Sequence, residues 1–219
     1  LACSDPINIL AIPVRTAEGR RVRDGFVARD GFTFLTADYS QIEMRVVAHD
    51  SQDEAMMRIF LNDLDIHVET ACAMFQIKPG QVDDMQHRYP AKRVGFGILN
   101  YISESGLLRE LEVGGAKGWT ERKCRDLIDR WFQIYSRVRS YMEGSRAFAR
   151  RHREVRDMFN RKRLVPEVLS AHPWIREAGA RQAANAPIQM GAQGIIKQAM
   201  GDLEESLQQF EGDIFPWAQ

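Results

Sequence analysis

Cysteine is scarce in this 219-residue chain: Cys3, Cys72 and Cys124 are widely spaced, and no CxxC pair occurs. An odd, scattered set of thiols suits neither a disulfide framework nor a zinc site. It reads as reduced, mostly buried side chains in a cytoplasmic setting. Long apolar runs are missing too, so no stretch of the sequence is long enough to span a membrane as a helix. The first residues resemble no signal peptide. Methionine is absent from the first position, Leu1, which hints at an excised or processed piece. Net charge is absent as well, since 30 Lys and Arg balance 30 Asp and Glu. Any nucleic-acid signal must therefore lie in how charge is distributed. What is present is a 44% hydrophobic composition, enough to bury a sizeable core as one domain or two tightly joined subdomains.

The most informative stretch is Asp38-Tyr-Ser-Gln-Ile-Glu-Met-Arg45. It follows Phe32-Thr-Phe-Leu-Thr-Ala, a β-leaning run that predicts a strand ending at Asp38. A carboxylate on such a mount suits a hard divalent cation, which wants fixed oxygen ligands beside water and phosphate. An isolated Asp and Glu would read as a solvated strand end, but the whole string is more specific. It resembles the first catalytic motif of family A DNA polymerases, the bacterial polymerase I type. That resemblance implies Asp38 as a catalytic metal ligand for Mg²⁺ and Tyr39 as a second ligand through its backbone carbonyl. It implies Gln41 at the nucleotide site, Glu43 filling the space of a ribose 2′-hydroxyl, and Arg45 on DNA.

A second stretch, His87 to Ser103, places Arg88, Lys92, Phe96 and Asn100 four residues apart. On a helix such steps drift only about 40° each and give one slowly winding row. By periodicity alone this is an amphipathic helix with basic residues on its wet face. Two cations, a ring and an amide would also suit a nucleoside triphosphate, the cations taking phosphates and the ring covering sugar and base. The string resembles the family's RxxxKxxxFGxxYG helix, with Asn100-Tyr101 replacing its usual Tyr-Gly. The resemblance implies Arg88, Lys92, Phe96 and Asn100 as nucleotide-binding, with Lys92 also catalytic. Pro90 makes the helix either start there or kink there, because an interior proline costs about 3 kcal/mol. Upstream, Asp65-Ile-His-Val-Glu-Thr-Ala71 opens a helix and resembles the family's DIHxxTA, which implies that His67 reaches the nucleotide phosphates.

DNA contacts are implied at both ends of the chain. Ser4 to Thr16 resembles the family's SDPNLQNIPVRT, leaving Arg15 as a phosphate contact, although Ile7 to Ala11 is apolar where the family carries amides. Arg176 to Gln189 resembles REAxERxAxNxPxQ, which implies Arg181, Asn185 and Gln189 on the minor groove of primer-template. Between Arg139 and Arg163 nine Lys and Arg face three acids, the electrostatic footprint expected for a DNA backbone.

The remaining segments read more simply. Ala17 to Arg21 is expected as a turn leading into Val22 to Ala28. Ser51 to Glu54 caps a helix over Ala55 to Leu61, and 103–151 carries two helices around the glycine loop Val113 to Gly118. The stripe Cys124, Leu127, Ile128, Trp131, Phe132 and Tyr135 is core. Arg156 to Val165 is a β-hairpin turning at Asn160, and Ile175 to Leu207 is helical.

The fold class is therefore α+β and mostly helical, a partial palm sheet with a helical fingers subdomain. Residues 1–48 are the first part of the palm, 49–175 the fingers and 176–219 the second part of the palm. The resemblance implies a DNA-directed DNA polymerase using two Mg²⁺ ions, primer-template DNA and dNTP. It also implies a monomer with no membrane association, cytoplasmic and nucleoid-associated, of bacterial or phage origin. The thumb and the second catalytic Asp motif of the family have no counterpart in the 219 residues. Two alternatives stay open: a homologue that binds DNA or nucleotide without turnover, and a single-subunit RNA polymerase.

Overall fold

The computed structural model describes residue 12, residues 16–34 and residues 36–207. Arg15, Cys3, the Ile7 to Ala11 loop and the Phe215 to Gln219 segment lie outside the described residues. The chain divides into two compact units, Leu1–Ser40 and Gln41–Gln219.

In the first unit α1 spans Ala17–Asp24, where the sequence suggested a turn. Thr16 Oγ1 accepts the Gly19 N–H at 3.0 Å, an N-cap that satisfies one orphan donor of the first turn. Glu18 in the first turn and Arg21 and Arg23 in the last both complement the helix dipole. These signals outweigh Gly19, which had read as a turn marker. Among the described residues of the expected strand at 32–37 no strand forms, and Phe32 and Phe34 are exposed. Strand propensity is realised only through a hydrogen-bonded neighbour. Among the described residues the strands β1 (Glu154–Arg156) and β2 (Lys162–Leu164) pair only with each other.

The second unit is a helical assembly. Helix α2 (Ile42–Ser51) buries Met44, Val46, Val47 and Ala48. Asp53 caps α3 (Glu54–Leu61), accepting from Ala55 and Met56 N–H, and its other oxygen accepts the Arg137 N–H at 3.1 Å. Helix α4 (Ile66–Phe75) packs on α5 (Tyr89–Leu99) and α7 (Glu121–Ile134), and α6 (Glu104–Val113) packs on α7. The aromatic stripe of α7 is core as read. Trp131 is fully buried, with Tyr135 and Phe132 edge-on to it at 4.8 and 5.4 Å.

The segment 103–151 carries three helices rather than two, because the long helical pattern breaks at Tyr135 before α8 (Ser136–His152). Tyr135 leaves helical geometry at φ −113°, ψ 63°, and its buried hydroxyl meets Thr70 Oγ1 at 2.7 Å. A buried phenol needs a partner, and this bond rewards the break. The hairpin forms as expected, with Val155 opposite Arg163 and Asn160 in the left-handed conformation at its turn.

Helix α9 (Pro173–Leu207) is 35 residues long, about 52 Å by its rise. Its buried positions are mostly small, including Ala180, Ala183, Ala184, Gly191 and Gly194. They let α2, α8 and β1 approach closely. A methyl at Gly194 would fall 2.5 Å from Phe159 and Arg161, the hairpin side chains that cover it.

Candidate nucleotide and nucleic-acid site

The row Arg88, Lys92, Phe96 and Asn100, expected to bind a nucleotide, begins on a joint. Asp84–Arg88 forms a π-helical turn, capped by Asp83, which passes directly into α5 with Pro90 in its first turn. The helix thus begins at the proline rather than kinking there, where a missing N–H costs little. Arg88, the last residue of the π turn, is aimed by an ion pair of 2.9 Å to Asp65 and a longer one of 3.5 Å to Asp84. The sequence marks Asp65 only as part of a helix opening. Its Oδ1 caps α4 through the His67 and Val68 N–H groups while Oδ2 holds Arg88, so one carboxylate fixes two elements. Burial pushes its pKa up, but the Arg88 and backbone hydrogen bonds prevail and hold it below the ordinary value.

Three of the expected residues meet beside this pair. The His67 ring lies 5.6 Å from the Phe96 ring, and Lys92 Nζ lies 5.9 Å from the Phe96 centroid. His67 is only 3% exposed. Burial lowers its pKa to about 4, with Lys92 and Arg88 adding to the shift and Asp65 opposing it. At neutral pH it is an uncharged imidazole, its charged form disfavoured by burial and by the Lys92 and Arg88 charges. The chemistry of the cluster is therefore cationic on the α5 side, aromatic at Phe96 and neutral at His67.

The far end of the row leads elsewhere. Asn100 closes α5, with its Nδ2 donating to the Phe96 carbonyl at 3.1 Å. Its Oδ1 accepts from Asn185 Nδ2 at 2.8 Å, which joins α5 to α9. Asn100 and Asn185 share an open cleft of about 400 Å³ with Arg181, Gln189, Gln182 and Arg163. All three residues expected on the minor groove thus line one concavity. Arg163 and Gln182 join them unassigned by sequence, Arg163 having counted only as one charge in a basic run. The signal for Gln182 lay in the amides at 182, 185 and 189, spaced as one helix face.

The basic segment is less free than its composition suggests. Arg139 pairs with Asp129 at 3.8 Å, Arg146 with Glu177 at 3.6 Å, Arg156 with Glu154 at 2.9 Å and Arg161 with Asp157 at 2.6 Å. Arg161 also donates to the Met190 carbonyl and so ties the hairpin to α9.

The first-motif residues fall in two units. Asp38 and Tyr39 belong to the first unit and are exposed, in chain that forms no strand. Gln41 opens α2 in a left-handed conformation at φ 56°, Glu43 is half-buried in its first turn, and the Arg45 guanidinium lies 4.7 Å from the centre of the Phe60 ring. Among the described residues no three His, Cys, Asp or Glu side chains gather as metal ligands, so these residues do not by themselves build the Mg²⁺ site expected at Asp38. No described helix is long and apolar enough to cross a membrane.

Comparison with known proteins gives a consistent result. The model of DNA polymerase family A matches residues 1–215. The chain is 41% identical over 210 residues to DNA polymerase I of Pseudomonas aeruginosa, covering 95% of this chain and 22% of that protein. It is 40% identical over 209 residues to the thermostable DNA polymerase I of Thermus thermophilus, covering 95% of this chain and 24% of that one. Among solved structures, the POL domain of Pol1 from M. smegmatis, in complex with DNA primer-template and dNTP, superposes with a TM-score of 0.80 at 32% identity. The match covers 92% of this chain and 34% of that one. The chain thus spans under a quarter of the length of these curated relatives.

Proposed function

The chain belongs to DNA polymerase family A, and from that premise we propose that it is the palm-and-fingers part of a DNA-directed DNA polymerase. The whole enzyme adds deoxynucleotides from dNTP to a primer 3′-hydroxyl. The observation that carries the reading is the convergence of Arg88, Lys92, Phe96 and His67 at one end of a single helical row, with the Asn100–Asn185 cleft at its other end. A triphosphate and a base-paired duplex are the two ligands that such a row can serve at once. The cations take phosphate charge, and Lys92 neutralises the charge that develops as the phosphoryl group transfers. Phe96 covers the sugar and base, while the neutral His67 donates to a phosphate oxygen. Arg181, Asn185 and Gln189 offer donors to the minor groove, where every base pair presents acceptors.

In this reading Glu43 excludes a ribose 2′-hydroxyl, Gln41 borders the nucleotide, and Arg15 and Arg45 lie on DNA. Residues 1–48 and 176–219 form the palm and 49–175 the fingers. Mg²⁺ supplies charge neutralisation on the triphosphate when bound. Asp38 and the Tyr39 carbonyl are the ligands assigned to it, and two such ions would need a second carboxylate.

One observation favours a second, narrower reading for the 219 residues alone: the lack of a gathered carboxylate set among the described residues. The isolated chain then binds primer-template and dNTP without extending the primer.

The test is direct. Primer extension with Mg²⁺ is followed for the complete enzyme and for the 219-residue chain, each with and without Lys92→Ala and Asp38→Ala. Loss of dNTP affinity in Lys92→Ala with primer-template affinity intact supports the assignment. A chain that binds neither ligand, or a complete enzyme indifferent to both substitutions, overturns it.

A further inference from the structure

Asn185 does not stand alone in the cleft. Its Nδ2 donates one hydrogen to Asn100 Oδ1 at 2.8 Å, and Asn100 Nδ2 in turn donates to the Phe96 carbonyl at 3.1 Å. The three groups form a short relay from the end of α5 to the middle of α9, and each link fixes the next. The Phe96 carbonyl is an acceptor only, so it dictates that the Asn100 amide nitrogen faces it. Asn100 Oδ1 must then face α9, and that acceptor dictates that Asn185 presents nitrogen to α5. One N–H of Asn185 is thereby used, and the amide's plane and flip state are both set. The second N–H is a donor of fixed direction on a residue that lines the cleft.

We infer that Asn100 is a positioning residue that acts through Asn185: it locks the Asn185 amide in the flip state that presents an N–H donor to DNA, and so sharpens discrimination between matched and mismatched primer ends. The inference rests on the reading of the cleft as the DNA track. Minor-groove acceptors of a matched pair sit at nearly sequence-independent positions, whereas a mismatch displaces them. A donor of fixed direction registers that displacement; an amide free to turn and flip re-aims its N–H or its carbonyl at the displaced group and forgives it. Neighbouring structure supports the lock. Tyr101, the next residue, sits in the left-handed conformation at φ 54° with the Arg146 guanidinium 5.0 Å from its ring centre. The chain just beyond Asn100 is therefore held between α5 and α8 rather than left to turn.

The experiment is a double-mutant cycle on the 219-residue chain with Asn100→Leu, Asn185→Leu and the pair together. The probe is a labelled hairpin primer-template with either a matched or a mismatched terminal pair, read by anisotropy. Thermal melting confirms folding, and Asn100→Ala replaces the leucine variant if that one melts early. One neutral hydrogen bond corresponds to about a fivefold change in affinity. Asn100→Leu should therefore weaken matched DNA about fivefold, leave mismatched DNA nearly unchanged, and so narrow the matched-to-mismatched ratio by the same factor. In the Asn185→Leu background the same substitution should do nothing more.

Equal weakening of both probes would make Asn100 an ordinary structural residue and overturn the inference. So would an undiminished effect in the Asn185→Leu background, since Asn100 would then act on its own. If Asn100→Leu is silent while Asn185→Leu weakens binding, the positioning role fails and the DNA track stands. If both are silent, the track fails, and the positioning role with it.

Discussion

Acidification should strike this fold at His67. Its side chain is neutral in the folded protein, with its pKa lowered from 6.5 to about 4 by burial, reinforced by Lys92 and Arg88. In the unfolded chain it protonates near 6.5. As pH falls below that value the unfolded state takes up a proton that the folded state refuses, so unfolding becomes easier. The contribution is therefore flat above about pH 7, worsens through the window from 6.5 to 4, and is complete below 4. At 1.36 kcal/mol per pKa unit, the stability withdrawn reaches about 2 kcal/mol at pH 5 and about 3 kcal/mol at pH 4. Other groups also move, in both directions. Burial raises the Asp50 carboxyl, which favours the fold in acid, while Asp65 is held low and disfavours it. His67→Gln removes the imidazole and leaves those two carboxylates in place. The assay is urea unfolding of wild type and His67→Gln at each half pH unit from 7.5 to 4. The difference between the two should be constant above pH 7 and swing about 3 kcal/mol in the variant's favour by pH 4. Parallel curves, or an imidazole that titrates near 6.5 by NMR in the folded protein, would refute the burial account of this residue.

Three further outcomes follow from the same structure. Asp53→Ala removes the cap of α3 and strands the Arg137 N–H, and should cost about 2–4 kcal/mol in chemical unfolding. Gly179→Ala should destabilise by about 1–3 kcal/mol, because the added methyl meets the Val168 nitrogen at 2.7 Å and the Glu167 carbonyl carbon at 2.8 Å, backbone atoms that cannot swing aside. In the complete enzyme Glu43→Ala should raise ribonucleotide incorporation far more than it lowers deoxynucleotide incorporation; equal losses for both sugars would make Glu43 a folding residue.

Local signals proved the most legible. The α7 stripe, the Asp53 cap and the hairpin at Asn160 each depend on a few adjacent residues, and the chain obeys them; at Pro90 the sequence allows a start or a kink, and the structure has the start. The mostly helical α+β class followed from such segments. Expectations fell where the outcome depended on a distant partner. Phe32 to Ala37 has strand composition, yet a strand needs an adjoining strand, which composition does not specify. Tyr135 interrupts a periodic helix because of a hydroxyl on α4, 65 residues away. The candidate site divides in the same way. The four-residue row and the amides of α9 were readable as patterns, whereas the roles of Asp65 and Arg163 arise only when α4 meets the π turn and β2 folds back over α9. Ala17 to Arg21 is a local failure: Gly19 suggests a turn, whereas the Thr16 cap governs the structure.

The ion pairs along the basic segment also fix how the protein would respond to salt. A cation already matched to an internal carboxylate is less available to neutralise a phosphate and so to release a counterion condensed on DNA. Of the nine cations between Arg139 and Arg163, four are so matched. Arg150, Arg151, Arg153, Lys162 and Arg163 form no ion pair among the described residues, and they set the number of ions this segment can release. At about 0.9 per neutralised phosphate, they permit a logarithmic salt slope from this segment no steeper than about −4.5 on duplex DNA, against about −8 if all nine cations counted. The acids beside these arginines thus act as a thermodynamic governor. If the cleft is the DNA track proposed above, they weaken the part of the grip that ionic strength modulates and leave more of it to the uncharged amides of α9.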